Sequence, residues 1–195
     1  MKLFRLKQTL LAIALSTSVC TASADWALNN TESSLNFISI KKSTIGEVHS
    51  FEKLKGSLKD NGEAKVIVTL ASLESMIPKR NERMKKVLFE ISQYPQAMVT
   101  TKLDIHRINK LKVGESYTET LELALSIHGQ QQEVEANLRI TALKGNKILA
   151  STIKPIIINA SDFNLVKGID VLRTLAKLPS ISTAIPVTAS FIFEK

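Results

Sequence analysis

The chain has 195 residues, of which 44% are hydrophobic and 23% charged, with seven Gly, five Pro and one Cys. That length fits one domain, or two at most, and the composition excludes a largely disordered, collagen-like or low-complexity chain. A single Cys excludes a disulfide scaffold or a multi-Cys zinc site, and 5% aromatic residues argue against a surface that stacks bases.

The first segment is an address. Lys2, Arg5 and Lys7 form a positive n-region, residues 10–15 a short apolar run, and Ala22-Ser23-Ala24 an A-x-A cleavage site. This is the pattern of a secretory signal peptide over residues 1–24, cleaved after Ala24, and it predicts a periplasmic protein. The apolar run falls short of the roughly 20 residues that span a bilayer. An acylated Cys20 is the alternative, but Thr17 and Val19 stand where a lipoprotein signal wants Leu and a small residue. After cleavage, residues 25–195 carry 23 basic and 18 acidic side chains and no cysteine. Stability in an oxidising compartment must then come from core burial.

From there the chain reads as strands. Alternating apolar and polar residues predict strands over 35–40, 54–58, 65–70, 97–105, 120–127, 133–142, 148–158 and 185–193. The stretch 133–142 is the clearest: Val134, Ala136, Leu138, Ile140 and Ala142 face one way, with Glu133, Glu135, Asn137, Arg139 and Thr141 opposite. Asp60-Asn61-Gly62, His128-Gly129-Gln130 and Lys144-Gly145-Asn146 predict hairpins, so antiparallel neighbours dominate. Helical spacing of Met84, Val87, Leu88 and Ile91 predicts a helix over 79–91, stopped by Pro95. A second non-strand stretch runs from Ser161 through Leu172 and Leu175 to Pro179.

About eight strands with one dry face each leave a sandwich or a barrel, and closure removes the exposed edges. An eight-stranded barrel is just wide enough to be filled by side chains or to hold one small ligand. The inward faces are mostly Val, Leu, Ile and Ala, which predicts an apolar cavity rather than a solid core.

Candidate chemistry is thin. His49, His106 and His128 lack metal-ligand spacing; His128 reads as a turn residue, His106 as the solvated end of a strand, and His49 as a structural or pocket-mouth residue. There is no Gly-rich phosphate loop and no nucleophile elbow. Glu122, Glu133 and Glu135 fall on faces read as wet, and nothing marks a catalytic pair. The expectation is a protein that is not an enzyme and needs no cofactor. The basic cluster of Lys79, Arg80, Arg83, Lys85 and Lys86 reads either as a solvated helix face or as an attractor of phosphate or a membrane surface near a cavity mouth. A periplasmic address argues against a nucleic-acid partner.

Five motifs in order resemble the YceI family across residues 25–195. They are Trp26-Ala27-Leu28 with Ser34-Leu35-Asn36-Phe37; Leu54-Lys55-Gly56-Ser57-Leu58; Arg80-Asn81-Glu82-Arg83-Met84 with Leu88-Phe89 and Tyr94-Pro95-Gln96-Ala97; Leu121 to Leu125 with His128-Gly129 and Glu133-Val134; and Asp162-Phe163-Asn164-Leu165. The resemblance implies an all-β, eight-stranded antiparallel, lipocalin-like barrel with one or two short helices. It also implies a polyisoprenoid or similar long-chain lipid along the axis. Departures from the family pattern are Lys41-Lys42 after the first long strand, where a His is common, and the segment from Val166 to Leu172 beside the D-F-N motif.

The expected function is binding, sequestration or transport of such a lipid in the periplasm. The tail would lie against Phe37, Val66, Val68, Val99, Leu121, Leu123, Leu125, Val134, Leu138, Ile140, Val187 and Phe191, and His49, Arg80 and Arg83 would meet the head. One alternative is a periplasmic accessory of a membrane quinone or b-type cytochrome system. Another is an enzyme acting on a lipid through a dyad of His49 with a carboxylate. An apolar mouth would favour transient association, with a membrane surface or as a homodimer.

Overall fold

The computed structural model describes residues 25–195, so the signal-peptide reading and Cys20 lie outside the described residues. The strands are β1 (Trp26–Leu28), β2 (Ser34–Lys41), β3 (Ile45–Phe51), β4 (Leu54–Leu58), β5 (Glu63–Thr69), β6 (Leu73–Glu74) and β7 (Gln96–Lys102), followed by β8 (Ser116–Ile127), β9 (Gln130–Leu143), β10 (Lys147–Thr152), β11 (Ile156–Asn159) and β12 (Ala184–Glu194). The helices are α1 (Pro78–Arg83), α2 (Ile105–Lys110) and α3 (Val166–Leu175).

All strand pairs are antiparallel, and pairing of β1 with β12 closes the sheet into a barrel. Its wall has eight staves. β7, β8, β9 and β12 each run unbroken. The other four are made of two strands end to end: β1 with β2, β4 with β3, β5 with β6, and β10 with β11. β12 shows the arrangement directly. Its C-terminal half pairs with β1 and β10, its N-terminal half with β2 and β11.

Turn chemistry sets the long hairpins. Between β8 and β9, His128 and Gly129 both take positive φ (51° and 74°), the geometry that matches the twist of flanking strands. Between β9 and β10, Gly145 and Asn146 do the same (75° and 54°). Twelve residue pairs then zip β8 to β9.

Two readings from alternation need correction. The strand expected over 97–105 ends at Lys102, and Ile105 to Lys110 is helical. Asp104 caps that helix, its carboxylate accepting the Arg107 N–H at 3.0 Å. Ile105 and Ile108, one turn apart, are buried against the barrel floor, and His106 is exposed on the opposite side. The strand expected over 148–158 is broken after Thr152 by Ile153 to Pro155, where Pro155 cannot donate a ladder hydrogen bond. β1, β6 and the seven-residue β3 were not expected as separate strands.

The helix expected over 79–91 is α1 followed by a π-helical turn, Met84–Leu88. Pro78 occupies the first turn of α1, where its missing N–H costs nothing. Met84 and Leu88 are buried as the spacing requires. α3 crosses this turn so closely that a Cβ at Gly168 would lie 2.6 Å from the Val87 carbonyl oxygen.

The core has two tiers. The upper one joins Phe37, Phe51, Leu73 and Ile158 of the sheet to Met84, Leu88, Phe89 and Ile169 of the lid formed by α1, the π-turn and α3, and to Phe163 and Leu165 of the turn that leads into α3. The lower one joins Trp26, Leu58, Val66, Ile140, Ile148 and Phe193 to Ile105 and Ile108 of α2.

Candidate functional site: an apolar cavity inside the barrel

Between the two tiers lies a cavity of about 230 Å³. Of the residues that border it, Lys65, Thr100, Thr101 and Thr152 are polar and the rest are apolar. Its volume is a little under the roughly 300–1,000 Å³ typical of small-molecule sites. A void of this size among aliphatic side chains suits a slender hydrocarbon better than a bulky polar molecule. Water there would find few of the polar partners it needs.

Ten of the twelve positions expected to meet a tail border the cavity. Val66 and Val68 of β5, Val99 of β7, and Leu123 and Leu125 of β8 line one side. Val134 and Leu138 of β9, Val187 and Phe191 of β12, and Phe37 of β2 line the other. Leu121 and Ile140 lie elsewhere. They pack in the lower tier, where Ile140 is fully buried, because their strands continue below the cavity toward the floor. Several bordering residues were not expected: Phe51, Leu88, Phe89, Leu165 and Ile169. The last four belong to the lid and the turn leading into it; their sequence signals were the helical spacing of Leu88 and the Leu88-Phe89 and Asp162-Phe163-Asn164-Leu165 motifs.

Beyond Phe37 the inward face of β2 and β3 turns polar. Phe37 pairs with His49, and Ser39 with Glu47. His49 is 2% exposed; its Nε2 lies 2.8 Å from Ser39 Oγ, and its Nδ1 has no hydrogen-bond partner. Burial, with help from the Arg80 and Lys41 charges and against that of Glu47, lowers its pKa to about 4, so the ring is neutral at pH 7. Glu47 bridges Lys41 Nζ at 2.9 Å and Arg80 Nη1 at 2.7 Å. Partial burial works to raise its pKa, but the hydrogen bonds and charges of Lys41 and Arg80 hold it below the ordinary carboxylate value. Arg80 also donates to Ser75 Oγ at 2.9 Å and to the Ser75 carbonyl, which ties α1 to the end of β6.

The three residues expected at a ligand head therefore separate. His49 and Arg80 share one cluster beside Phe37, outside the cavity border. Arg83 lies apart, its guanidinium 3.5 Å from the Leu175 carbonyl oxygen at the seam between α1 and α3. His128 is held by Glu90 at 2.8 Å and packs on Tyr94, which makes it part of the hairpin turn. Glu122, Glu133 and Glu135 are exposed, and among the described residues no group of three His, Cys, Asp or Glu is placed to hold a metal.

The family model for the YceI-like domain matches residues 26–193. Among solved structures, a polyisoprenoid-binding domain from Saccharophagus degradans, implicated in plant cell wall breakdown, shares 36% identity. It superposes with a TM-score of 0.85 over 87% of this chain and 97% of its own. BcnA of Burkholderia cenocepacia (16% identity, TM-score 0.65, 85% of this chain and 98% of its own) has the same fold. So does the Campylobacter jejuni YceI protein (16%, 0.54, 75% and 84%). None of the curated proteins matches this chain.

Proposed function

The chain belongs to the YceI-like family, and from that premise we propose that it binds a polyisoprenoid or related long-chain lipid in the barrel cavity and sequesters or carries it in the periplasm. The observation that carries this reading is the apolar cavity that lies between the two core tiers, with Leu88, Phe89 and Ile169 of the lid among its walls. The similarity to a polyisoprenoid-binding domain at 36% identity supports the same class of guest.

The physics is transfer. Each five-carbon unit taken from water into such a cavity gains about 4 kcal/mol gross, at roughly 0.8 kcal/mol per carbon, before the costs of association. The walls offer few polar groups, so the cavity selects for length and slenderness. Any head must meet the polar groups outside it, of which the cluster of His49, Ser39, Glu47 and Arg80 is adjacent to Phe37.

The test is denaturing mass spectrometry of an organic extract of the purified protein, followed by titration with a polyprenol. Recovery of an isoprenoid, or saturable uptake, is expected. Repeated recovery of empty protein with no uptake overturns the reading. Export rests on the n-region, apolar run and Ala22-Ser23-Ala24, and N-terminal sequencing of the secreted protein is expected to begin at Asp25.

A further inference from the structure

The two segments that build the lid are strongly basic. Segments 78–91 and 166–177, which build the lid, hold eight basic residues: Lys79, Arg80, Arg83, Lys85 and Lys86 in the first, and Lys167, Arg173 and Lys177 in the second. Against them stand Glu82, Glu90 and Asp170, a net of +5. Residues 25–195 carry 23 basic and 18 acidic side chains, so the positions outside these two segments sum to fifteen against fifteen, with Glu47, Glu74 and Asp162 among those acids flanking the lid. Lys86, Lys167 and Lys177 are exposed and form no ion pair among the described residues.

The same end displays apolar side chains to solvent. Met76 is 85% exposed and Ile77 46%, immediately before α1; Val171 and Leu175 of α3 are 37% and 47% exposed. Met76 is not a frayed tip. Its backbone takes φ +63°, its N–H is held by the Glu74 carboxylate, and Asn81 Nδ2 donates to that carboxylate at 3.1 Å. Gly168 seats α3 on the π-turn, and Arg83 reaches the Leu175 carbonyl, so the two halves of the lid form one continuous face.

We propose that this lid face docks on an anionic phospholipid bilayer, with Met76, Ile77, Val171 and Leu175 entering the interface and Lys86, Lys167 and Lys177 meeting the head groups. Charge complementarity selects the occupant. Exposed apolar side chains together with cations that form no ion pair fit a negative surface with an apolar layer beneath it. The face lies directly above the Leu88, Phe89, Leu165 and Ile169 side chains that border the cavity, so docking brings the cavity's upper end to the source of a long-chain lipid. That last step rests on the lipid-binding reading; docking itself does not.

The test is co-sedimentation of the purified protein with phosphatidylcholine vesicles, with and without roughly 30% phosphatidylglycerol. Binding is expected to the anionic vesicles alone and to fall in high salt. Lys86→Glu with Lys167→Glu weakens it about tenfold or more, since each juxtamembrane cation contributes several-fold. Met76→Ser with Ile77→Ser weakens it by a similar factor. Lys110→Glu with Lys112→Glu, an equal charge change at the floor end, leaves it unchanged. Equal loss in the floor variant overturns the proposal, as does equal binding to neutral vesicles. Self-association through this face in place of vesicle binding, abolished by Met76→Ser with Ile77→Ser, overturns it in favour of a second copy. Polyprenol uptake from detergent solution is read in parallel. Uptake without vesicle docking removes this proposal alone, and docking without uptake removes the lipid-binding reading alone.

Discussion

Phe37 and His49 face each other across the β2–β3 ladder with ring centroids 5.0 Å apart, so an aromatic side chain on the cavity wall rests on the first residue of a buried polar cluster. The wall and the cluster are thus mechanically joined. Protonation of His49 would place a cation between that wall and the Arg80 and Lys41 charges.

Acid is therefore expected to destabilise the protein through His49. The folded state holds the ring neutral with a pKa of about 4, while the unfolded chain takes up a proton below 6.5. Stability is intact above pH 6.5 and falls as the pH drops toward about 4, by at most about 3 kcal/mol. Glu47 acts in a lower window: its depressed pKa adds stability above its unfolded value of 4.5, lost on further acidification. Urea unfolding between pH 7 and pH 4 should show the first decline in the native chain and not in His49→Gln.

Arg80→Met should move that transition. Removing the guanidinium takes a repelling charge from His49, so the His49 pKa rises toward 6.5, which NMR titration of the ring reads directly. The variant also strips Glu47 and Ser75 of a donor, at a cost of about 1–3 kcal/mol. An unmoved His49 titration would show that Arg80 does not act on the ring.

Two substitutions separate cavity from core. Val134→Trp places a large ring into the void and is expected to reduce polyprenol uptake at least about tenfold while melting within a few degrees of the native chain, because the space is already there. Ile140→Ala empties a fully buried position in the lower tier and should cost about 2–5 kcal/mol with uptake per folded molecule preserved. Equal uptake by both variants would detach ligand binding from the cavity.

Gly168→Ala should loosen the lid. The added methyl meets the Val87 carbonyl oxygen at 2.6 Å and Leu88 Cα at 2.8 Å, both backbone, so α3 must move. A loss of about 1–3 kcal/mol is expected, with proteolysis of the lid segment appearing before global unfolding.

Much of the barrel was legible because period two reports a strand with one dry face. β8 and β9 announced themselves through Leu121 to Ile127 and Val134 to Ala142, and the His128-Gly129 turn joined them. Local chemistry was less legible where it overrode that period. Asp104 could continue a strand pattern or cap a helix, and the floor of the barrel decided for the cap. β1 and β6, at three and two residues, are too short to show a period. The cavity wall from the sheet was readable, but Phe89, Leu165 and Ile169 join it through tertiary folding of the lid, which alternation does not encode. Leu121 and Ile140 share a face with true wall residues and differ in height along the axis, a coordinate that a one-dimensional pattern lacks.

The split staves have a mechanical consequence. β2, β3, β6 and β11 end where β1, β4, β5 and β10 begin, although Leu54 of β4 and Val68 of β5 still reach up into the upper core tier. The upper ring of backbone is fastened to the lower one chiefly by the four unbroken staves, β7, β8, β9 and β12. The molecule is built like a cup with a slit collar, which should open more readily at the collar than at the base, where the ladders run on. Amide exchange in β2, β3, β6 and β11 should then run ahead of exchange in β4, β5 and β10, and should slow when the cup is filled.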